Sequence, residues 1–366
     1  MGDEGEIVEL LELVFDGWPH LDLNLTPLEY WSWKYKDNPL QLILIMLGII
    51  DNRIIGCEHL IPLRIKINDK VVFSTTDVDV AVHPDFRGIG VSRKISDLSD
   101  ASKKEAGIKF AYAITGNPIL IKSLSKRYPR FPHPIINLVK IQDIDKQLQN
   151  IPVENPWLMK LAFRTAKLFN DIKNTRKISE SEIHRFHISK IDSFDERIDE
   201  FWKKVANDYN FMVERSQIYL NWRYCDPRAG DFVVNLVEDD EYRILGYSVL
   251  RINKYLKKYP VGYIVDLLTL PNYLDAANAL AADALSYFEN NDVNLVNYQV
   301  VKGHPYEHVL KKHGFLDSKI KLHLFYNPFG SGDAFKKLKE IPAARIFVSW
   351  GDHDVLPIKI PSTRMG

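Results

Sequence analysis

Apolar residues along the first 140 positions recur with two rhythms. Spacings of three and four over Glu6–Phe15, over Leu28–Tyr35 and at Val91, Ile95 and Leu98 predict helices, the last of them stopping near Gly107. The runs Leu40–Gly48, Arg53–Ile67 and Val71–Val82 predict strands, with Asn68 and Asp69 turning the second into the third. Ile108–Ile114 is apolar enough for a central strand, Pro118 suits the first turn of another helix, and Ile135–Ile141 is expected to close the sheet. Helices, an antiparallel meander and then a strand, helix, strand, helix, strand run predict an α/β fold with a mixed sheet.

The pattern then returns. Tyr30, Trp33, Lys34, Tyr35 and Asp37 are matched by Tyr219, Trp222, Arg223, Tyr224 and Asp226; Ile54, Ile55 and Gly56 by Ile244, Leu245 and Gly246. Val78, Asp79 and Pro84 recur as Val265, Asp266 and Pro271, and Gly116 and Pro118 as Gly303 and Pro305. The blocks keep their order at an offset of about 187 to 190 residues, which implies two copies of one domain. The expected division is residues 1–141, a linker over 142–180 with an amphipathic helix (Trp157, Leu158, Leu161, Leu168, Phe169), and residues 181–366. That helix is read as packing across the two copies with its lysines solvated.

Composition narrows the function classes. The 366 residues carry 48 basic and 48 acidic side chains, so no net field draws in nucleic acid or an anionic membrane. Two cysteines, Cys57 and Cys225, give neither a disulfide framework nor a thiolate metal site. No apolar run is long enough to span a bilayer and the first ten residues do not read as a secretory leader, so a cytoplasmic protein without stable membrane insertion is expected. Composition is silent on oligomeric state.

Candidate chemistry concentrates in Val78–Ser92. A predicted strand runs through Val80, Ala81 and Val82 into a loop with Arg87, Gly88, Ile89 and Gly90, and a helix begins at Val91 and Ser92. Backbone N–H groups at a helix start, with glycines allowing close approach and an arginine adding charge, form a cradle for a pyrophosphate. Arg87, Gly90 and Ser92 fall in the pattern Arg/Gln, two residues, Gly, one residue, Gly/Ala/Ser, which resembles the cofactor signature of the GNAT superfamily of acyl-CoA N-acyltransferases. Asn117, opening the next helix, resembles that superfamily's second cofactor-contacting element. The resemblance implies two tandem GNAT-like domains and acetyl-CoA as co-substrate. It also implies a pantetheine arm laid along Val80–Val82, whose N–H groups would stabilise an oxyanion, and transfer of an acetyl group to a small-molecule amine acceptor.

Such a transfer needs a base for the amine and a proton for the departing thiolate. Asp77 and Asp79 are the base candidates, although Asp79 recurs as Asp266. Superfamily members often carry a tyrosine acid before a Gly-Phe pair; here Arg127 and Tyr128 replace the pair and Ser123 stands near the tyrosine position, leaving Tyr128 or Tyr112 as substitutes. In the second copy Asn272–Ala277 replaces the glycine loop without glycine or arginine, so this copy is read as degenerate and as the acceptor-binding or structural half. Tandem members with one degenerate half are known, some accompanying surface polysaccharide synthesis, which implies an amino sugar as one acceptor class. A Fem-type aminoacyl transferase and a non-catalytic acyl-CoA-binding protein are the alternatives. His304, Glu307 and His308 match an inverted zinc-protease pattern, but His304 falls at a helix start and lacks a third ligand, so no metal is expected. Ala344–Ser349 reads as a strand, followed by a turn at Trp350, Gly351, Asp352, His353 and Asp354, with acceptor binding as its second reading.

Overall fold

The computed structural model describes residues 2–150, 186–254, 259–329, 335 and 337–353. The expected amphipathic linker helix and Asp354 lie outside the described residues.

The first copy opens with helices α1 (Glu4–Phe15) and α2 (Pro27–Trp31). Helix α2 starts on a capping box in which Thr26 and Glu29 satisfy each other's backbone N–H groups. The expected helix through Tyr35 continues past Trp31 as a π turn, Ser32–Lys36. Strands β1 (Leu44–Ile50), β2 (Arg53–Ile67) and β3 (Lys70–Val82) form the meander. Strand β1 starts later than the sequence implies because Asn38 builds a turn there: its side chain accepts from the Leu40 N–H and its carbonyl from the Gln41 N–H. Helix α3 (Val91–Glu105), strand β4 (Phe110–Thr115), helix α4 (Pro118–Leu124), strand β5 (Ile135–Ile141) and helix α5 (Ile144–Asn150) complete this part.

The second copy repeats the plan. Strand β6 (His187–Ile191), helix α6 (Arg197–Ala206) and strand β7 (Phe211–Val213) precede helix α7 (Gln217–Leu220), which again runs into a π turn, Asn221–Cys225. Strands β8 (Phe232–Glu238), β9 (Ile244–Asn253) and β10 (Val261–Thr269) lead to helix α8 (Leu274–Asn290), strand β11 (Leu295–Val301), helix α9 (Pro305–Lys312) and strand β12 (Leu316–Pro328).

The copies exchange their last strands. Strand β5 does not close its own sheet: it pairs antiparallel with β11 and with β12 of the second copy, and β12 pairs antiparallel with β4 of the first. One continuous 12-stranded sheet results, in the order β1-β2-β3-β4-β12-β5-β11-β10-β9-β8-β6, with β7 pairing β2. The seam has its own core, in which Phe110, Tyr112 and Phe131 pack with Phe211, Tyr326 and Val348. Above it the two π turns meet, with Trp33 stacked on Trp222 at 5.2 Å between ring centres.

The expected strand Ala344–Ser349 is absent. A 3-10 turn, Ala343–Arg345, leads to a single bridge from Ile346 to Phe211, and a second 3-10 turn covers Trp350–Asp352. The segment is an apolar plug rather than a sheet member: Ile346, Phe347, Val348 and Trp350 are all buried.

Candidate active site

Strands β3 and β4 run parallel and share three rungs, the last joining Thr76 to Tyr112. Both strands then continue, to Val82 and to Thr115, without pairing each other, so the sheet opens into a V. A bulge in β3 sits beside the opening: Val78 pairs with His59 and Ala81 with Cys57, while Asp79 turns through a left-handed φ of 45° between them.

At the mouth of the V, His83 begins a 3-10 turn, Pro84–Phe86, and the chain reaches α3 through Gly88 and Gly90, with φ of 83° and 90°. Those angles favour glycine, and no atom lies within 4 Å of where either Cβ would be. Gly90 is the N-cap of α3 without any side-chain cap, so the first turn offers its N–H groups outward. Arg87 is exposed and its Nε donates to the Val82 carbonyl at 3.1 Å. Gly56 holds α3 close to the sheet, since a Cβ there would meet Ile95 Cδ1 at 2.8 Å. Asn117 stands at the end of β4 and caps α4, its Oδ1 accepting from Ile119 at 2.9 Å and from Leu120 at 3.4 Å. The loop residues thus follow the end of β3 and Asn117 the end of β4, the two strands that diverge. Val80 is 39% exposed in the V, and Ala81 is turned inward.

The two aspartates part company at the bulge. Asp79 faces α2 and its π turn: Lys34 Nζ donates to it at 2.6 Å, Tyr35 Oη at 2.5 Å and Trp18 Nε1 at 3.1 Å. Burial would raise its pKa, but the Lys34 charge and these hydrogen bonds outweigh that and hold the carboxyl below its usual range. A carboxylate so satisfied is a poor proton acceptor. The second copy reproduces the arrangement without a glycine loop, with Tyr224 Oη donating to Asp266 at 3.2 Å and Arg215 Nε at 3.1 Å.

Asp77 is the first residue of β3 beyond the last rung, and it faces α3. Lys103 Nζ reaches it at 2.7 Å, and burial raises its pKa. It lines a small pocket at the apex of the V, together with Asp100, Ala113, Tyr128, Phe325 and Asn327. The last two come from β12, so both copies wall this pocket. Tyr128 donates to Asp100 at 2.9 Å, and burial pushes its phenol up. Tyr112 is buried on the other side and donates to the Asp352 carbonyl at 2.8 Å.

Glu58, His59 and Lys103 were not singled out by sequence reasoning. Their signal was local: Glu58 and His59 interrupt an apolar run, and Ile95, Ser99 and Lys103 continue one helix stripe with polar residues.

In the second copy β10 and β11 also diverge after Ile264 and Tyr298. Here the opening is occupied. Tyr306 Oη accepts from the Thr269 N–H at 2.8 Å, the position equivalent to Val82, and His353 hydrogen-bonds Gln299 at 2.5 Å. Arg215 joins Asp266 to Asp352 of the plug, at 3.1 and 2.8 Å. Asp352 and His353 are therefore buried in the protein's own core. His304 caps α9 from a buried position, and no group that would hold a metal ion occurs among the described residues.

A mixed sheet splayed beside a bulge, with a glycine-bearing helix start at the mouth of the splay, is the fold of the acyl-CoA N-acyltransferases. Residues 2–119 match the family model of the acetyltransferase (GNAT) domain. A probable N-acyltransferase from Enterococcus faecalis V583 superposes with a TM-score of 0.59 at 12% identity, covering 89% of this chain and 70% of that one. N-myristoyltransferase from Saccharomyces cerevisiae, solved with bound myristoyl-CoA, gives 0.59 at 13% identity over 94% and 86%. A GCN5-related N-acetyltransferase from Anabaena variabilis gives 0.57 at 11% over 88% and 70%. No curated protein matches the sequence.

Proposed function

We propose that the protein is an N-acyltransferase that takes acetyl-CoA, binds it in the V of the first copy, and acetylates the amine of a small molecule, with amino sugars among the acceptors. The observation that carries this reading is the end of the β3–β4 ladder at Thr76 and Tyr112, with an uncapped, glycine-entered helix start at the mouth of the opening beyond it. A pantetheine arm would lie along Val80–Val82, and its pyrophosphate on the loop Arg87–Ser92. That the structurally similar yeast N-myristoyltransferase was solved with bound myristoyl-CoA supports the donor class. Filling of the equivalent opening by Tyr306 and the plug supports one donor per chain.

In the reaction the amine nitrogen attacks the thioester carbonyl, the C–N bond forms and the C–S bond breaks. One proton passes from nitrogen to sulfur. Asp77 is the proposed acceptor of that proton, a reading supported by its position at the apex of the V and in the pocket wall, whereas Asp79 ties the bulge to the π turn. N–H groups of the bulged strand would stabilise the oxyanion, and such preorganised donors are usually worth about 3–4 kcal/mol each.

Calorimetric titration with acetyl-CoA tests the donor site. Gly90→Arg, which forces a side chain onto a left-handed residue at the cradle, is expected to lower affinity at least tenfold. Unchanged binding would remove the assignment. Thiol release over a panel of amines and amino sugars then tests turnover, and CoA esters of longer chains test the acyl group.

A further inference from the structure

Asp77 does not act alone. Behind it Lys103 Nζ lies 2.7 Å from Asp77, 3.8 Å from Glu58 and 3.8 Å from Asp100, and the lysine is 2% exposed. Ser99 Oγ donates to Glu58 at 2.7 Å. The groups facing this centre come from four elements: Glu58 from β2, Asp77 from β3, Asp100 and Lys103 from α3, and Arg127 and Tyr128 from the chain after α4. Arg127 pairs with Asp97 at 2.6 Å and with Asp100 at 2.9 Å, so Asp100 has its own cation. Asp77 and Glu58 are left to divide one ammonium between them. Two buried carboxylates on one cation do not both ionise readily, and such a pair titrates as a unit.

We propose that Glu58 is a positioning residue for catalysis, which by competing with Asp77 for Lys103 keeps Asp77 able to take up the proton of the acceptor amine. This rests on the acyltransferase reading above. When the acceptor nitrogen gives its proton to an Asp77 oxygen, the Asp77 charge disappears and Lys103 is left to Glu58, which stabilises the protonated form of Asp77. As the C–S bond breaks, the proton moves on to the CoA sulfur and Lys103 returns to Asp77. Burial first, and then the neighbouring Asp77, push the Glu58 carboxyl up to about 7, in keeping with a site short of positive charge. Lys103 stays charged, because Asp77 and Glu58 outweigh the cost of its burial. The cluster is polar on a face that packing alone would make apolar. With Ile95, Ser99 and Lys103 on one stripe of α3, aliphatic residues at 58, 77 and 103 would have filled the same space without the cost of burying three charges.

The test uses the full chain, with carboxyl-carbon NMR titration of the resting protein and the pH dependence of thiol release from acetyl-CoA. In the wild-type protein Glu58 is expected to titrate near 7. In Glu58→Gln, Asp77 gains sole use of Lys103, its midpoint falls by about one pH unit, and the acid limb of kcat/KM falls with it while the KM for acetyl-CoA stays put. Glu58→Asp is expected to keep the limb in place. Asp77→Asn is expected to lose at least 100-fold in kcat and to bind acetyl-CoA normally. An Asp77 midpoint unmoved in folded Glu58→Gln overturns the proposal. So does a wild-type Glu58 that titrates in the ordinary carboxylate range, which decides the matter even if the glutamine variant fails to fold. Absence of acetyl-CoA binding would instead strike the acyltransferase reading, and the NMR titrations would still report on the shared lysine.

Discussion

At the scale of single residues, the bulge aspartate shows how position in sequence and role in structure diverge. Lys34, beside Asp79, is 1% exposed, and replacing Asp79 removes the carboxylate that meets this buried cation at 2.6 Å. Asp79→Asn is therefore expected to cost about 3–5 kcal/mol in urea unfolding. The folded fraction should keep turnover; a stable variant without turnover would make Asp79 the base instead. The buried histidines set a second expectation. Burial lowers His59 and His313 to about 4 and His304 and His353 to about 3, so each is neutral in the folded chain at a pH where the unfolded chain takes up a proton. Their contribution is complete above about 6.5 and declines as pH falls toward 4, by up to about 1.4 kcal/mol per pH unit for each. Glu58 works the other way, its raised pKa giving stability that is full below about 4.5 and lost as pH rises through 7. The histidines outnumber it, and urea midpoints are expected to fall between pH 6.5 and 4.5. The glycine turn before α3 was legible residue by residue because its left-handed backbone at Gly88 and Gly90 favours glycine. Glu58 and Lys103 were not, because a charged residue in an apolar run shows where burial is costly but not which distant group offsets the cost.

Among the elements, β2, β3 and α3 were readable almost to the residue, since period and turn chemistry agree there. The π turns were not. A helix of period 3.6 predicts a straight run through Tyr35, whereas the π turn swings Tyr35 onto Asp79 and, in the second copy, Tyr224 onto Asp266. The repeat of the aromatic block was the visible trace of this shared device. The two copies of the sheet glycine differ in how much depends on them. At Gly246 a Cβ would come within 2.6 Å of the Leu268 carbonyl and 3.0 Å of the Thr269 Cα, both backbone, whereas at Gly56 the nearest atom is the end of Ile95. Gly246→Ala is thus expected to destabilise by about 1–3 kcal/mol, and Gly56→Ala by less, because Ile95 can shift. Thermal melts of the two variants would compare them, and equal losses would show that the β9–β10 contact yields as easily as α3 does.

For the molecule as a whole, the duplication was legible and the strand exchange was not. Any sequence that gives β5 an alternating or apolar run is satisfied equally by a neighbour in its own copy or in the other, so pairing across copies leaves no mark in the pattern. Residues 1–141 expressed alone would present β4 without β12 and β5 without β11, two unpaired strands at one edge. This fragment is expected to aggregate or to lack a cooperative transition by circular dichroism, and a soluble fragment with a sharp melt would count against that. The exchange also bears on how such a gene changes over time. A duplicate freed from cofactor binding is ordinarily open to deletion, or to being carried off as a module into another gene. Here the copy without the glycine loop supplies the strand next to the V of the first copy, so recombination that removed the second copy would leave β4 and β5 without their partners.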